Sequence, residues 1–153
     1  MGETTEIREA EQKPFFTGSY EHTLDPKGRV SLPAKIRRSL PSTVKTVLSL
    51  DGQSVWVFSP EAYVQWYASF FENGIVNSRS AEQVNLSRRL SKYAMDADID
   101  AAGRISIDAR LRQLCGLEKD VTIIGSNDHL EIMERAKANA LDDDLLSMDF
   151  MLA

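Results

Sequence analysis

The chain contains one polar pattern twice. Residues 25–37 read DPKGRVSLPAKIR and residues 100–112 read DAAGRISIDARLR, with Asp, Gly, Arg, Ser, Ala and the final Arg at identical positions. A motif that returns with its polar spacing intact indicates a duplicated structural unit. The chain is therefore restricted to a fold with two similar halves, and two copies of one turn suggest a pseudo-symmetric binding protein before they suggest an enzyme.

The similarity extends beyond the motif, because Val47 aligns with Val121 and the 56–58 segment with 130–132. Each half is predicted to run turn, strand, short helix, hairpin and longer helix, and in the first half a strand precedes the turn. In the first half these elements are expected at residues 20–24, 25–28, 29–32, 34–40, 46–50 with 54–58, and 60–71. In the second half a helix ending at Gly116 precedes hairpin strands at 121–124 and 129–132 and a helix at 134–141.

These elements predict an α+β protein with five segments. They are a disordered leader (1–14), a first repeat with the DNA-binding turn (15–77), a polar connecting helix (78–92), a second repeat (93–141) and an acidic, hydrophobic tail (142–153). The leader is polar and has no hydrophobic period, which is typical of disorder. The tail is either a frayed end or an amphipathic segment that docks on a neighbouring subunit.

Composition excludes several classes of protein. A chain of 153 residues that is 42% hydrophobic and 27% charged fits one or two small globular units. No segment reaches the roughly 20 apolar residues that cross a bilayer, and no secretory signal is expected. Cys115 is the single cysteine, which excludes an intramolecular disulfide and a multi-cysteine zinc site and fits a cytoplasmic protein.

A negative net charge argues at first against a nucleic-acid partner, but the charges are unevenly distributed along the chain. The net charge is −5, yet residues 14–46 carry six basic and two acidic side chains, whereas residues 93–153 carry six basic and thirteen acidic ones. Binding of a polyanion depends on the local field at the contact surface. The acidic remainder therefore does not forbid DNA binding.

The Asp-x-x-Gly-Arg motif has a structural and a functional interpretation. Gly28 and Gly103 permit a positive φ, while Asp25 and Asp100 can accept backbone N–H groups and pair with the Arg four residues later. The functional interpretation rests on cations in and after the first turn, where the second copy has Ala102 in place of a lysine. An exposed cationic turn can enter a DNA groove, where Arg binds guanine with a fork of donors and Lys contacts phosphate. The candidate DNA-binding side chains are Lys27, Arg29, Lys35, Arg37, Arg38 and, in the second copy, Arg104.

With residues 20–37 reading YEHTLDPKGRVSLPAKIR and a second Asp100-x-x-x-Arg104, the chain resembles the MraZ family of bacterial transcriptional regulators, within the AbrB/MazE/SpoVT-like superfamily. The resemblance runs from about Phe16 to Leu141, and the leader departs from it. It implies two tandem AbrB-like swapped-hairpin repeats that form a pseudo-symmetric β-barrel with short helices. It also implies that Lys27 and Arg29 contact DNA while Asp25 and Gly28 hold their turn.

The resemblance further implies a ring-like homo-oligomer that binds short direct repeats upstream of the division and cell wall gene cluster. Several turns at fixed spacing would engage repeated promoter sites on double-stranded DNA and gain affinity through effective concentration. The expected partners are thus DNA and further copies of the chain, with no membrane, metal or cofactor, in a cytoplasmic and nucleoid-associated protein.

Three alternatives stay open at this point. An enzyme could use His22, Asp25, Arg29 and Ser31, although no nucleophile elbow, P-loop or dinucleotide motif is present. An antitoxin-like regulator of the same superfamily would bind a small protein partner, and an oligomeric interaction protein would use the motif only as a fold device. The aromatic positions of the 60–71 helix predict core or interface packing, and the Arg88, Arg89 and Lys92 group predicts a solvated helix face.

Overall fold

The computed structural model describes residues 14–148. The predicted leader, apart from Pro14, and the last five residues of the predicted tail lie outside this range. The strands are β1 (Ser19–Thr23), β2 (Arg29–Ser31), β3 (Thr43–Leu48), β4 (Ser54–Phe58), β5 (Ala94–Asp98), β6 (Arg104–Ser106), β7 (Asp120–Ser126) and β8 (His129–Glu134). The helices are α1 (Ala34–Arg37), α2 (Pro60–Ala68), α3 (Ala81–Lys92), α4 (Ala109–Cys115) and α5 (Arg135–Leu146), with a 3₁₀ turn at Glu72–Gly74.

The strands form two antiparallel sheets that exchange elements between the halves. Six strands follow the order β1-β7-β8-β4-β3-β5, and β2 pairs with β6 in a separate ribbon. The first strand of each half joins the hairpin of the other half, because β1 pairs with β7 and β5 pairs with β3. The α+β class is therefore confirmed, whereas the closed β-barrel stays a prediction, since β1 and β5 end the larger sheet among the described strands.

The β2–β6 ribbon lies at the centre of the pseudo-symmetry. Val30 is paired with Ile105, and both side chains are completely buried. They belong to one apolar cluster that also contains Val57 of β4 and Leu130 of β8, which are paired with each other. Burial of one such side chain contributes about 1.5–3 kcal/mol, so this cluster fixes the ribbon against the main sheet.

Three of the five described helices, α2, α3 and α4, begin at a short polar side chain that caps them. Ser59 accepts the amide of Ala62 at 3.2 Å before α2, and Asp108 accepts the amide of Arg110 at 2.8 Å before α4. The aromatic side of α2 packs within the chain, since the ring of Trp66 lies 5.2 Å from that of Phe58 and the Tyr67 hydroxyl lies 2.7 Å from the Ser87 hydroxyl. Packing within the chain thus accounts for part of this aromatic face, whose rings remain half-buried.

Two helix ends differ from the sequence-based expectation. Helix α1 ends at Arg37 rather than Leu40, because the chain turns there toward Pro41 and β3. Helix α5 continues to Leu146 rather than ending at Leu141, because no Gly or Pro interrupts it and the acidic run can remain helical at the solvent-exposed surface. No helix within residues 14–148 is long and apolar enough to cross a membrane.

Candidate nucleic-acid interface

The first turn is organised around the Asp25 carboxylate. Its Oδ1 accepts the amides of Lys27 and Arg29, both at 2.9 Å, and its Oδ2 accepts Nε of Arg29 at 2.6 Å. The amide of Gly28 donates to the Asp25 carbonyl at 2.9 Å, and Gly28 has a φ of 78°, a value that side chains with a Cβ rarely adopt. Asp25 therefore fixes both the turn and the direction of the Arg29 side chain.

The second turn repeats this geometry. Oδ1 of Asp100 accepts the amides of Ala102 and Arg104 at 2.9 Å, and Oδ2 accepts Nε of Arg104 at 3.0 Å. Gly103 has a φ of 80°. Both copies thus make the hydrogen bonds that the structural interpretation of the motif predicts, down to the individual carboxylate oxygens.

Hydrogen bonds to these turns lower the pKa of both aspartates. The amide of Arg29, followed by its guanidinium and by the amide of Lys27, holds the pKa of Asp25 below its ordinary value against the opposing effect of burial. The amide of Arg104 is likewise the largest cause of the lowered pKa of Asp100. Both carboxylates are consequently ionised at neutral pH.

Each turn closes one end of the β2–β6 ribbon. The amide of Ile107 donates to the Gly28 carbonyl, and the amide of Leu32 donates to the Gly103 carbonyl, both at 2.9 Å. Arg29 is paired with Ser106, so the first turn lies beside the end of β6. The ribbon carries one Asp-x-x-Gly-Arg turn at each end.

An arginine from the opposite half covers each turn glycine. A Cβ on Gly28 would lie 2.5 Å from Nε and Cζ of Arg112, and a Cβ on Gly103 would collide with the guanidinium of Arg37. Nε of Arg112 also donates to the carbonyl of Ile107 at 3.0 Å. Arg37, a candidate DNA-binding residue, is therefore half-buried against the second turn, and the sequence analysis did not recognise the equivalent role of Arg112.

Four polar side chains occupy the outer face of the ribbon. Because Val30 and Ile105 point inward, their strand neighbours point to the other side, and these are Arg29, Ser31, Arg104 and Ser106. Each arginine lies opposite a serine of the other half. The ribbon thus presents two guanidinium groups and two hydroxyls on one face.

The cations around the two turns differ in number and exposure. Lys27, Lys35 and Arg38 are exposed, whereas the side chains of Arg29 and Arg104 retain 30% and 35% of their accessible surface. The second turn has Ala102 where the first has Lys27. The first turn is therefore the more basic of the two, as the sequence predicts.

The sequence pattern predicts a solvated helix face for a further group of cations, Arg88, Arg89 and Lys92. Arg89 and Lys92 of α3 converge with Arg110 of α4 on the ring of Tyr93. Helical spacing predicts that Arg89 and Lys92 share a face, but no local signal connects them to Arg110. Across residues 14–148, the His, Cys, Asp and Glu side chains form no group of three or more that could hold a metal ion.

Comparisons with known proteins identify relatives over most of the chain. A family model described as "MraZ protein, putative antitoxin-like" matches residues 15–86 and 91–152. A protein of Treponema denticola is 36% identical over 122 residues, which cover 78% of this chain and 81% of the relative. One of Treponema pallidum is 38% identical over 128 residues (82% and 83%), and one of Lachnoclostridium phytofermentans is 35% identical over 131 residues (84% and 89%). All three bear the name "Transcriptional regulator MraZ".

Proposed function

The chain belongs to the MraZ family, and from this premise we propose that it is a sequence-specific DNA-binding transcriptional regulator whose first turn contacts the DNA. The observation that carries this proposal is the geometry of that turn. Lys27 is exposed at its tip, and the Arg29 side chain is held on the outer face of the ribbon by Asp25. A cation that is already oriented loses less conformational entropy on binding than a freely rotating one.

The proposed roles of the cations follow from their donors. Within the described part of the chain, Arg29 bonds Asp25 through Nε, which leaves its terminal nitrogens for a bidentate contact with guanine O6 and N7. Lys27 would contact a phosphate. Lys35 and Arg38 are exposed on and just after α1 and would extend the phosphate contacts, and Arg104 would make a weaker contact with the DNA at the less basic second turn.

Arg37 has a different proposed role. Its guanidinium lies against Gly103, so a direct DNA contact would require it to leave this position or to use only its remaining donors. We assign it chiefly to holding the second turn in place. Its contribution to DNA affinity would then be indirect and smaller than that of Arg29.

The proposal also covers how copies of the chain assemble and which DNA region they bind. A single basic turn makes few phosphate contacts, so tight binding would come from several protomers of a ring-like homo-oligomer on repeated promoter sites. The target is the region upstream of the division and cell wall gene cluster, in a cytoplasmic, nucleoid-associated protein. Both parts rest on the family resemblance, as does the closed swapped-hairpin barrel, whereas the five-segment division rests on the composition and pattern of the sequence. The exchange of β1 and β5 between the halves supports the swapped arrangement.

Fluorescence anisotropy tests the proposal directly. The purified full chain is titrated into a labelled duplex from upstream of its own gene and into a scrambled duplex of the same length. We expect saturable binding that favours the upstream duplex and is lost in Arg29→Ala, while Arg79→Ala, an exposed arginine before α3, binds like the wild type. Size-exclusion chromatography with light scattering checks that both variants keep the wild-type mass. Equal binding to both duplexes by the wild type would refute the proposal.

An antitoxin-like role is the second candidate. It is favoured by the printed description of the family model and by exposed apolar side chains on α5, including Leu145 and Leu146. A protein with this role should copurify from its own organism with a small partner in a fixed ratio. A homogeneous preparation that binds the upstream duplex without such a partner would favour the first proposal.

A further inference from the structure

Three cations surround one aromatic ring at the surface near the first turn. Cζ of Arg89 and Cζ of Arg110 each lie 5.3 Å from the centroid of the Tyr93 ring, and Nζ of Lys92 lies 5.6 Å from it. These four residues are called the Tyr93 cluster below. The ring attracts each cation electrostatically, but the three positive charges repel one another.

No carboxylate forms an ion pair with these cations within residues 14–148. The acidic residues nearest to the cluster in sequence have other partners. Asp96 forms an ion pair with Lys45 at 2.6 Å, and Asp108 accepts a hydrogen bond from the backbone amide of Arg110 at 2.8 Å. The cluster is thus suited to an anion from outside the described chain.

The cluster is also partly ordered in advance. Nη2 of Arg89 donates to the Ser49 carbonyl at 2.6 Å, while its Nη1 is buried without a hydrogen-bond partner among the described residues. The Tyr93 side chain packs against the hydrophobic core. Lys92 and Arg110 are exposed, so an anion can approach them without displacing protein.

Helix α4 connects the cluster to the first turn. Arg110 lies at the start of this helix, three residues after Ile107, whose amide donates to the Gly28 carbonyl of the first turn at 2.9 Å. Among the residues that the structure describes, no equivalent cluster lies beside the second turn. The residue that corresponds to Arg110 in the first repeat is Lys35, and it lines a groove with uncharged neighbours such as Tyr20 and Ser39.

We propose that the Tyr93 cluster binds the phosphodiester backbone of the DNA whose groove the first turn enters. This inference rests on the proposed function and adds a contact outside the family motif. Guanidinium and ammonium donors match the non-bridging oxygens of a phosphodiester, and such contacts fix position without reading sequence. The cluster would therefore raise affinity for the upstream and the scrambled duplex alike.

The test is the salt dependence of binding by a Lys92→Gln/Arg110→Gln double variant. Each lost phosphate contact lowers the slope of log affinity against log salt by about 0.9, so two lost contacts lower it by about 1.8 for each protomer that binds the DNA. Between 50 and 200 mM salt, the affinity of the wild type should then fall at least about 12-fold more than that of the double variant. The single variant Lys92→Gln should show about half of the change in slope.

A matched control removes two charges elsewhere. Arg79 and Arg88 are exposed, and Nη1 of Arg88 donates to Asn85 on the same helix. The Arg79→Gln/Arg88→Gln variant has the same net charge as the test variant and should keep the wild-type slope. Thermal melts of both variants confirm that they fold.

The outcomes separate this inference from the proposed function. If the double variant has the wild-type slope while Arg29→Ala still loses binding, the Tyr93 cluster contacts no phosphate and only this inference is overturned. If the wild type shows no preference for the upstream duplex, the proposed function fails as well. If pyrophosphate raises the melting temperature of the wild type but not of the double variant, and DNA affinity is equal in both, the cluster binds a free anion and the inference is overturned.

Discussion

Replacing Gly28 with alanine should destabilise the protein more than the same replacement at Gly52. Both glycines have a positive φ, 78° and 73°, so both substitutions force alanine into the left-handed region at a cost of about 1–2 kcal/mol. Both also remove the same flexibility from the unfolded chain, which returns about 0.4–1 kcal/mol. These two contributions cancel when the variants are compared.

The two variants should differ in stability because the added methyl group has different neighbours at the two positions. At Gly52 nothing lies within 4 Å of the added Cβ, whereas at Gly28 it would lie 2.5 Å from Nε and Cζ of Arg112. Arg112 must move, and its 3.0 Å hydrogen bond to the buried Ile107 carbonyl is lost. Because this bond is only partly buried and the guanidinium is the flexible end of its side chain, its loss costs about 0.5–1.5 kcal/mol.

Differential scanning calorimetry measures the effect. For a chain of this size, 1 kcal/mol corresponds to about 2–4 °C, so Gly28→Ala should melt roughly 1–6 °C below Gly52→Ala. In an Arg112→Ala background the obstruction is absent, and Gly28→Ala should then cost about as much as Gly52→Ala. Equal melting temperatures for the two glycine variants in the wild-type background would refute the packing of Arg112 on the first turn.

Three further predictions concern stability and reactivity. Because the pKa of Asp25 and of Asp100 is lowered, both carboxylates stabilise the folded state above their unfolded pKa near 3.8, and this stability is lost as pH falls through their lower folded pKa. Urea melts of Asp25→Asn/Asp100→Asn should therefore show a weaker loss of stability between pH 5 and 3 than melts of the wild type. A pH profile identical to that of the wild type would contradict this. Ile105→Ala should lower the free energy of unfolding by about 2–5 kcal/mol, because Ile105 is completely buried beside Val30; a cost below 1 kcal/mol in urea would show that the ribbon is loosely packed. Burial raises the pKa of the Cys115 thiol, so a thiol reagent at pH 7.5 should react with it only in denaturant; rapid labelling of the native protein would contradict the buried position.

Local patterns in the sequence predict much of the site. The Asp, Gly and Arg spacing predicts the turn with its positive φ and its Asp25–Arg29 pair, because all of these contacts span four residues or fewer. Alternation likewise predicts that Ser31 and Ser106 face away from the core. The family resemblance accounts for the identity of the chain and the motif, which short-range patterns cannot supply.

Contacts between the halves could not be predicted in the same way. The pairing of β1 with β7 and of β5 with β3 depends on which edge of each hairpin is available, and residue patterns within one strand do not encode that choice. Strand β3 also begins at Thr43, earlier than expected, because Thr43 pairs with Asp98 of the other half. The packing of Arg112 on Gly28 joins residues that are far apart in the chain, and it depends on the same exchange.

The comparison of Arg29→Ala with Arg104→Ala tests whether the first turn recognises the DNA sequence. The two arginines occupy equivalent places, and each bonds its own aspartate through Nε, at 2.6 Å and 3.0 Å, so the structural effects of the two substitutions are matched. We would measure the ratio of affinities for the upstream and scrambled duplexes by anisotropy at one salt concentration. If the first turn recognises the sequence, Arg29→Ala brings this ratio close to one, while Arg104→Ala retains most of the wild-type preference. An undiminished ratio in Arg29→Ala, or an equal loss in both variants, would contradict the assignment of DNA recognition to the first turn.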